Sequence, residues 1–210
     1  MSGAGLKLHR RRMMGGALGF VVAGLERELS VVSDSFVQAS LGLGGNIGDV
    51  AGSFIRALRS LVDAPDVKLR RASSIYRTPP WGKLDQPPFL NMAVIIETGL
   101  PARTLLVLCL EIEQNMGRRR LERWGPRTLD IDILTYGDVA IDEPDLTTPH
   151  PRTTERAFVL APLAEIAPRL GIADQEVAHW LALVDRVGVE VEPEATARAR
   201  AALGSDFENG

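Results

Sequence analysis

Cysteine is almost absent from the chain: Cys109 stands alone, inside the apolar run from Leu105 to Leu110. An internal disulfide is therefore impossible, and no cysteine–histidine spacing suits zinc or redox chemistry. A buried thiol in a reducing cytoplasm is the expectation. Positive charge is also in short supply, since the net charge is −3. Too few cations remain to neutralise many phosphates, which excludes a general nucleic-acid binder. Long apolar runs are missing as well. Near the start, Lys7, His9, Arg10, Arg11 and Arg12 precede an apolar stretch from Gly15 to Leu25, superficially like a signal peptide. That stretch is too short to span a membrane, and Glu26-Arg27-Glu28 stands where a small-residue cleavage site should lie. Residues 1–34 are read as a poorly ordered extension. There is no internal repeat, no G-x-G-x-x-G and no P-loop Lys-Ser/Thr.

What is present is ordinary globular composition, with 45% hydrophobic and 24% charged residues in 210. One domain over residues 35–170 is expected, followed by a C-terminal helical segment and tail over 171–210. Strands are expected at Ser35–Leu43, Val67–Tyr76, Phe89–Thr98, Thr128–Tyr136 and Val139–Ile141. The helix from Val50 to Val62 carries Phe54, Ile55, Leu58, Leu61 and Val62 on one face, with Asp49 as its N-cap and Ala64-Pro65 as its stop. A second helix runs from Pro101 to Met116 and ends at Gly117. Further helices are expected at Thr153–Leu163, broken near Pro162, at Val177–Val184 around Trp180, and from Glu192 onward. The glycines of Leu43-Gly44-Gly45-Asn46-Ile47-Gly48-Asp49 could bring backbone N–H groups to a phosphate. A tight strand-to-helix turn explains them equally well.

The chemistry concentrates in Arg123-Trp124-Gly125-Pro126-Arg127-Thr128-Leu129-Asp130-Ile131-Asp132-Ile133-Leu134. Side chains alternate along a strand, so Asp130 and Asp132 leave one face while Leu129, Ile131 and Ile133 enter a core on the other. Neighbouring acids repel, and a cation between them relieves this; Mg²⁺ takes one or two carboxylates plus substrate phosphates. Arginines and Trp124 nearby suit the anionic and aromatic parts of a nucleotide-like ligand. On this pattern alone a solvated polar face and an ordinary Gly-Pro turn remain equally open. A proline-bounded loop, Arg77–Pro88, offers Trp81 and, at its end, Phe89 to a flat ring and Asn91 to a heterocycle edge. Packing of those aromatics back onto the core is the plainer alternative.

In order along the chain, these segments resemble the 6-hydroxymethyl-7,8-dihydropterin pyrophosphokinases over roughly Ala39 to Pro168. The landmarks are the glycine-rich turn, Ser74-Ile75-Tyr76-Arg77-Thr78-Pro79-Pro80, Asp85-Gln86-Pro87, Phe89-Leu90-Asn91, Arg123 to Leu134, and Pro149-His150-Pro151-Arg152 with Arg156-Ala157-Phe158-Val159-Leu160. The resemblance implies an α+β, ferredoxin-like sandwich of mostly antiparallel sheet with helices packed on its faces. It implies transfer of pyrophosphate from the co-substrate ATP to a dihydropterin, giving AMP. Asp130 and Asp132 would hold two Mg²⁺ ions, and Arg118 and Arg127 would contact phosphates as catalytic groups. Thr78, Pro79, Trp81, Phe89, Asn91, Trp124 and Phe158 would bind the pterin; Glu113, Arg120, Arg123, Ile133, His150 and Arg156 would meet ATP. ATP and the dihydropterin are the implied partners, with no nucleic acid and no membrane, and the expected state is a monomer or weak dimer. Leu110 stands where some members have glutamine, Asp145 where some have a basic residue, and Phe89 where tyrosine is frequent. The Arg118–Trp124 loop is one residue shorter than in some, so Arg119 and Arg120 could exchange assignments. Two other classes are kept: a non-catalytic relative that binds nucleotide or pterin, and an interaction domain with solvated acids.

Overall fold

In the computed structural model of the chain, residues 36–80, 84–117 and 125–204 are described. The sheet is built on β4 (Phe89–Thr98), whose side chains are buried on both faces. An uninterrupted apolar run reads as a strand covered on both sides, and the helices supply the cover. Met92, Val94 and Ile96 pack with Leu41 and Leu43 of β1 (Val37–Gly45), Phe54 and Leu58 of α1 (Val50–Asp63), and Leu105 and Ile112 of α2 (Ala102–Asn115). Ala93 and Ile95 point the other way, toward Leu160 and Leu163 of α3 (Ala157–Ile166) and Val177 of α4 (Val177–Leu183).

Strand β4 pairs antiparallel with β1, with β2 (Val67–Ala72) and with β3 (Tyr76–Thr78). On its far side β1 pairs antiparallel with β5 (Asp130–Tyr136). With β2 and β3 as two halves of one strand, the chain runs β1-α1-β2/β3-β4-α2-β5. The resulting order, β5-β1-β4-β3, is the expected ferredoxin-like arrangement. Two small hairpins follow, β6 (Ile141–Glu143) with β7 (Leu146–Thr148) and β8 (Gly171–Ile172) with β9 (Gln175–Glu176). Finally β10 (Glu190–Val191) joins the sheet beside β3, and α5 (Pro193–Leu203) adds Ala199 to the core on the α1 side.

Three expectations need correction. The strand Val67–Tyr76 is two strands, because Ala72 pairs with Val94 while Tyr76 pairs with Asn91. Four steps of one chain face three of the other, so one extra residue bulges out and interrupts the ladder. The helix at Thr153–Leu163 is a 3-10 turn at Thr153–Glu155, an extended Arg156, and then α3. Pro162 lies inside α3 without ending it, because Leu160, Leu163 and Ile166 are buried around it; packing outweighs one missing backbone hydrogen bond. The short strand begins at Ile141, two residues after its expected start at Val139.

Candidate active site

The strand period places the two acids as the sequence requires. Leu129, Ile131 and Ile133 are buried in the α1/α2 core, and Asp130, Asp132 and Leu134 line a cavity of about 260 Å³ on the opposite side of the strand. Across from the acids, β1 presents only glycine: Gly42 lies opposite Asp132 and Gly44 opposite Asp130. No β1 side chain therefore covers the carboxylates. A Cβ on Gly44 would lie 3.0 Å from Asn91 Oδ1, so glycine here also preserves the amide's position.

Arg127 is fixed at both ends. Its N–H donates to Asn46 Oδ1 (2.9 Å), and its carbonyl accepts from the N–H groups of Asn46 (2.9 Å) and Ile47 (3.2 Å). Those two amides are thereby occupied, and the glycine-rich turn holds the residues that lead into β5. Gly45 allows that approach, since a Cβ would meet the Thr128 carbonyl oxygen at 2.6 Å. The Asn46 amide also donates to Gln86 Oε1 (3.2 Å) and the Pro87 carbonyl (3.1 Å), tying the proline-rich loop to the same point. The guanidinium then donates from Nη1 to Asp130 Oδ2 at 2.5 Å and lies 5.3 Å from the Phe89 ring centroid. Its Nε is buried with no hydrogen-bond partner among the described residues. An orphaned buried donor beside a carboxylate pair marks a place for an anionic ligand.

The opposite wall comes from the chain after β7. The Thr148–Pro149 peptide is cis, and the His150 N–H donates to the Leu134 carbonyl at 2.8 Å, which sets the histidine beside β5. His150 Nδ1 accepts from the Arg152 N–H at 3.3 Å, so the neutral ring carries its proton on Nε2. Arg156, held extended between the 3-10 turn and α3, lies 5.6 Å from the Phe158 ring centroid. Phe89 and Phe158 both line the cavity, each beside an arginine. At its inner rim Asn91 Nδ2 donates to Thr78 Oγ1 at 2.8 Å, and Pro79 completes the edge.

Burial raises the Asp132 carboxyl above the ordinary carboxylate range, and the charge of Asp130 adds to this; His150, Arg156 and Arg127 pull the other way. Burial likewise lowers His150, with Arg156 and Arg152 contributing and Asp132 opposing. A carboxylate that its own site discourages from ionising is stabilised by a cation. No group of three or more acidic, histidine or cysteine side chains that could hold a metal occurs among the described residues. The donor set is thus two carboxylates, which fits Mg²⁺ arriving with phosphate oxygens better than a closed protein cage.

Ten of the expected site residues therefore meet in one cavity: Thr78, Pro79, Phe89, Asn91, Arg127, Asp130, Asp132, His150, Arg156 and Phe158. Ile133 does not join them, because alternation turns it into the core with Ile131. Glu113 is also elsewhere: it is buried, and its Oε1 accepts the Ile131 N–H at 2.7 Å on the outer edge of β5. Trp81, Arg118, Arg120, Arg123 and Trp124 lie outside the described residues. Asn46, Gly42 and Leu134 were not singled out from sequence as site residues. Leu134 shares the parity of the acids, whereas Gly42 and Asn46 matter only through cross-strand register and a contact made 81 positions away in sequence.

Comparison with known families matches residues 40–168 to 7,8-dihydro-6-hydroxymethylpterin-pyrophosphokinase (HPPK). The chain is 48% identical over 153 residues to the 2-amino-4-hydroxy-6-hydroxymethyldihydropteridine pyrophosphokinase of Methylorubrum extorquens, covering 73% of this chain and 97% of that one. Its likeness to the Bacillus subtilis protein of the same name is also 48% over 153 residues, covering 73% and 89%. It is 43% identical to the mitochondrial folate synthesis bifunctional protein of Arabidopsis thaliana, of which it covers 27%. Among solved structures, Plasmodium falciparum HPPK-DHPS superposes with a TM-score of 0.57 at 16% identity, over 73% of this chain and 46% of that one. At that identity the likeness is one of fold. With the matched segment carrying both aspartates, Arg127, Asn91 and His150, the chain belongs to the 7,8-dihydro-6-hydroxymethylpterin-pyrophosphokinase family.

Proposed function

We propose that this protein transfers pyrophosphate from ATP to 6-hydroxymethyl-7,8-dihydropterin, giving AMP and the pterin diphosphate, as a step of folate biosynthesis. The observation that carries this reading is the meeting, in one cavity, of an aspartate pair, an arginine with an orphaned donor, and two aromatic rings beside an amide. A ring site alone would not need the acids, and a phosphate site alone would not need the rings.

In this reading the pterin lies between Phe89 and Phe158. Asn91, Thr78 and Pro79 read its edge; the amide of Asn91 is already oriented by Thr78. Two Mg²⁺ ions held by Asp130 and Asp132 would, when bound, neutralise charge developing on the ATP phosphates. The pterin hydroxyl oxygen forms its bond to the β-phosphorus as the bond from that phosphorus to the bridging α-phosphate oxygen breaks; AMP leaves with that oxygen, and the hydroxyl proton is released to solvent. Arg127 presents Nε and Nη groups to phosphate while Asp130 and the Asn46 clamp fix its direction. His150, donating from Nε2, and Arg156 meet ATP from the opposite wall. Arg118, Arg120 and Arg123 are assigned to phosphates, and Trp81 and Trp124 to the ring, on the family resemblance. Glu113 serves as the support of β5, and through it of the aspartates.

Among the described residues no helix is long and apolar enough to cross a membrane. A cytoplasmic monomer or weak dimer fits a buried lone thiol and an ATP-consuming reaction. The catalytic domain is assigned to residues 35–170, with residues 171–210 as an appended C-terminal segment. The deciding experiment incubates the protein with ATP, Mg²⁺ and 6-hydroxymethyl-7,8-dihydropterin and follows AMP. Release of AMP only when the pterin is present is the expected result. ATP binding without turnover would instead favour a non-catalytic relative.

A further inference from the structure

The bulge between β2 and β3 leaves backbone groups that β4 cannot satisfy; α3 satisfies one, and the chain beyond the family-matched segment satisfies those of Ile75. Ser74 N–H donates to Glu165 Oε1 of α3 at 3.0 Å, and its hydroxyl donates to the same oxygen at 2.9 Å. Ile75, fully buried, turns to the C-terminus. Its N–H donates to Thr196 Oγ1 at 3.0 Å, and its carbonyl accepts the Glu192 N–H at 2.7 Å. The Thr196 hydroxyl is itself aimed by donating to the Glu192 carbonyl at 2.8 Å. Beyond Ile75, β10 pairs with Tyr76 and Arg77, and Glu192 lies 3.4 Å from Arg77 Nε. Gly188 packs under the cavity rim, where a Cβ would lie 3.3 Å from Pro79 Cδ. A separate contact secures α5 to the head of α1, where Arg198 donates to both oxygens of Asp49 at 2.6 and 2.7 Å.

We infer that Thr196, with Glu192 and β10, is a positioning residue for the ring-reading rim of the cavity: by accepting the Ile75 N–H while the Glu192 N–H holds the Ile75 carbonyl, it sets where Thr78 and Pro79 stand, three and four residues on. The inference rests on the proposed pterin site. Family matching ends at residue 168, so this brace belongs to the segment outside it.

Removing the hydroxyl leaves a buried N–H unsatisfied and lets the rim move, an effect on the order of tenfold in an equilibrium. Thr196→Val should therefore raise KM for the dihydropterin about tenfold, with kcat and KM for ATP near wild type. Thr196→Ser should restore it. Arg198→Ala, which loosens α5 without touching Ile75, should lower Tm and leave the pterin KM alone. If Thr196→Val lowers Tm but keeps the wild-type pterin KM, or weakens both substrates alike, the inference is overturned. Hydrogen exchange over residues 75–78 reads the brace without substrate. Faster exchange in Thr196→Val than in Arg198→Ala supports it even if wild type yields no AMP, a result that would defeat only the proposed reaction. Equal protection in the two variants would defeat the brace.

Discussion

At the head of α1, Asp49 caps the helix by accepting the Gly52 N–H at 3.1 Å and receives two hydrogen bonds from Arg198. Those contacts, Arg198 first and the Gly52 amide second, hold its carboxyl down at about 2. On β5, Asp132 has arginines and a histidine nearby, yet burial and Asp130 push its carboxyl up. One aspartate is charged because the fold wants the charge. The other is held where the fold would prefer it neutral. The contrast separates residues kept for stability from residues kept for a ligand, and it fixes opposite signs for pH dependence. A carboxyl lowered in the folded state contributes stability that is complete above the ordinary carboxylate value and is lost as pH falls toward its lowered one. A raised carboxyl contributes below the ordinary value, and that contribution is lost as pH rises through the raised one.

The largest expected effect breaks the ligand side. Asp132→Asn should reduce kcat by about 10³-fold or more, exceeding the loss of a single transition-state donor, while raising Tm by about 2–4 °C at neutral pH. Differential scanning fluorimetry beside an AMP assay reads both, and a fall in Tm would remove the basis of the contrast. Next, Arg127→Ala should cost about 10²–10³-fold in kcat, with circular dichroism showing an intact fold. Smaller still, Gly44→Ala should press on Asn91 Oδ1 and raise the pterin KM about tenfold, leaving KM for ATP unchanged in steady-state kinetics. Least in activity is Asp49→Ala. Loss of the cap should cost about 1 kcal/mol with turnover retained, and urea titrations should show that cost shrinking toward about pH 3, where the unfolded chain's Asp49 carboxyl takes up a proton that the folded one still refuses.

The residues that were legible in sequence share a property: their role follows from position within one element. Phe89–Thr98 is a strand to the residue, and Asp49 caps its helix, as the local pattern predicts. The aspartate pair faces away from the core because alternation leaves no other choice. Illegible features depend on partners distant in the chain. The bulge at residues 73–75 looks like continuous strand until Glu165 and Thr196 are brought beside it. Pro162 reads as a break because the packing partners of its helix neighbours Leu160 and Leu163, spread over β4 and α4, cannot be seen locally. The resemblance places Ile133 at ATP, although its parity with Ile131 points it into the core. Glu113, on the buried side of α2, satisfies the edge of β5, a need that exists only once the sheet is assembled.

The central claim is that Asp132, beside Asp130, is a destabilised carboxylate completed by a cation and its nucleotide. It is tested most directly by comparing Tm of wild type and Asp132→Asn from about pH 7 to about pH 3, around the ordinary carboxylate value, with and without Mg²⁺–ATP. The account predicts that the variant is the more stable at neutral pH without ligand, that the two converge in acid, and that Mg²⁺–ATP stabilises wild type alone. A variant that is no more stable than wild type at neutral pH, or that gains as much from Mg²⁺–ATP, would contradict it.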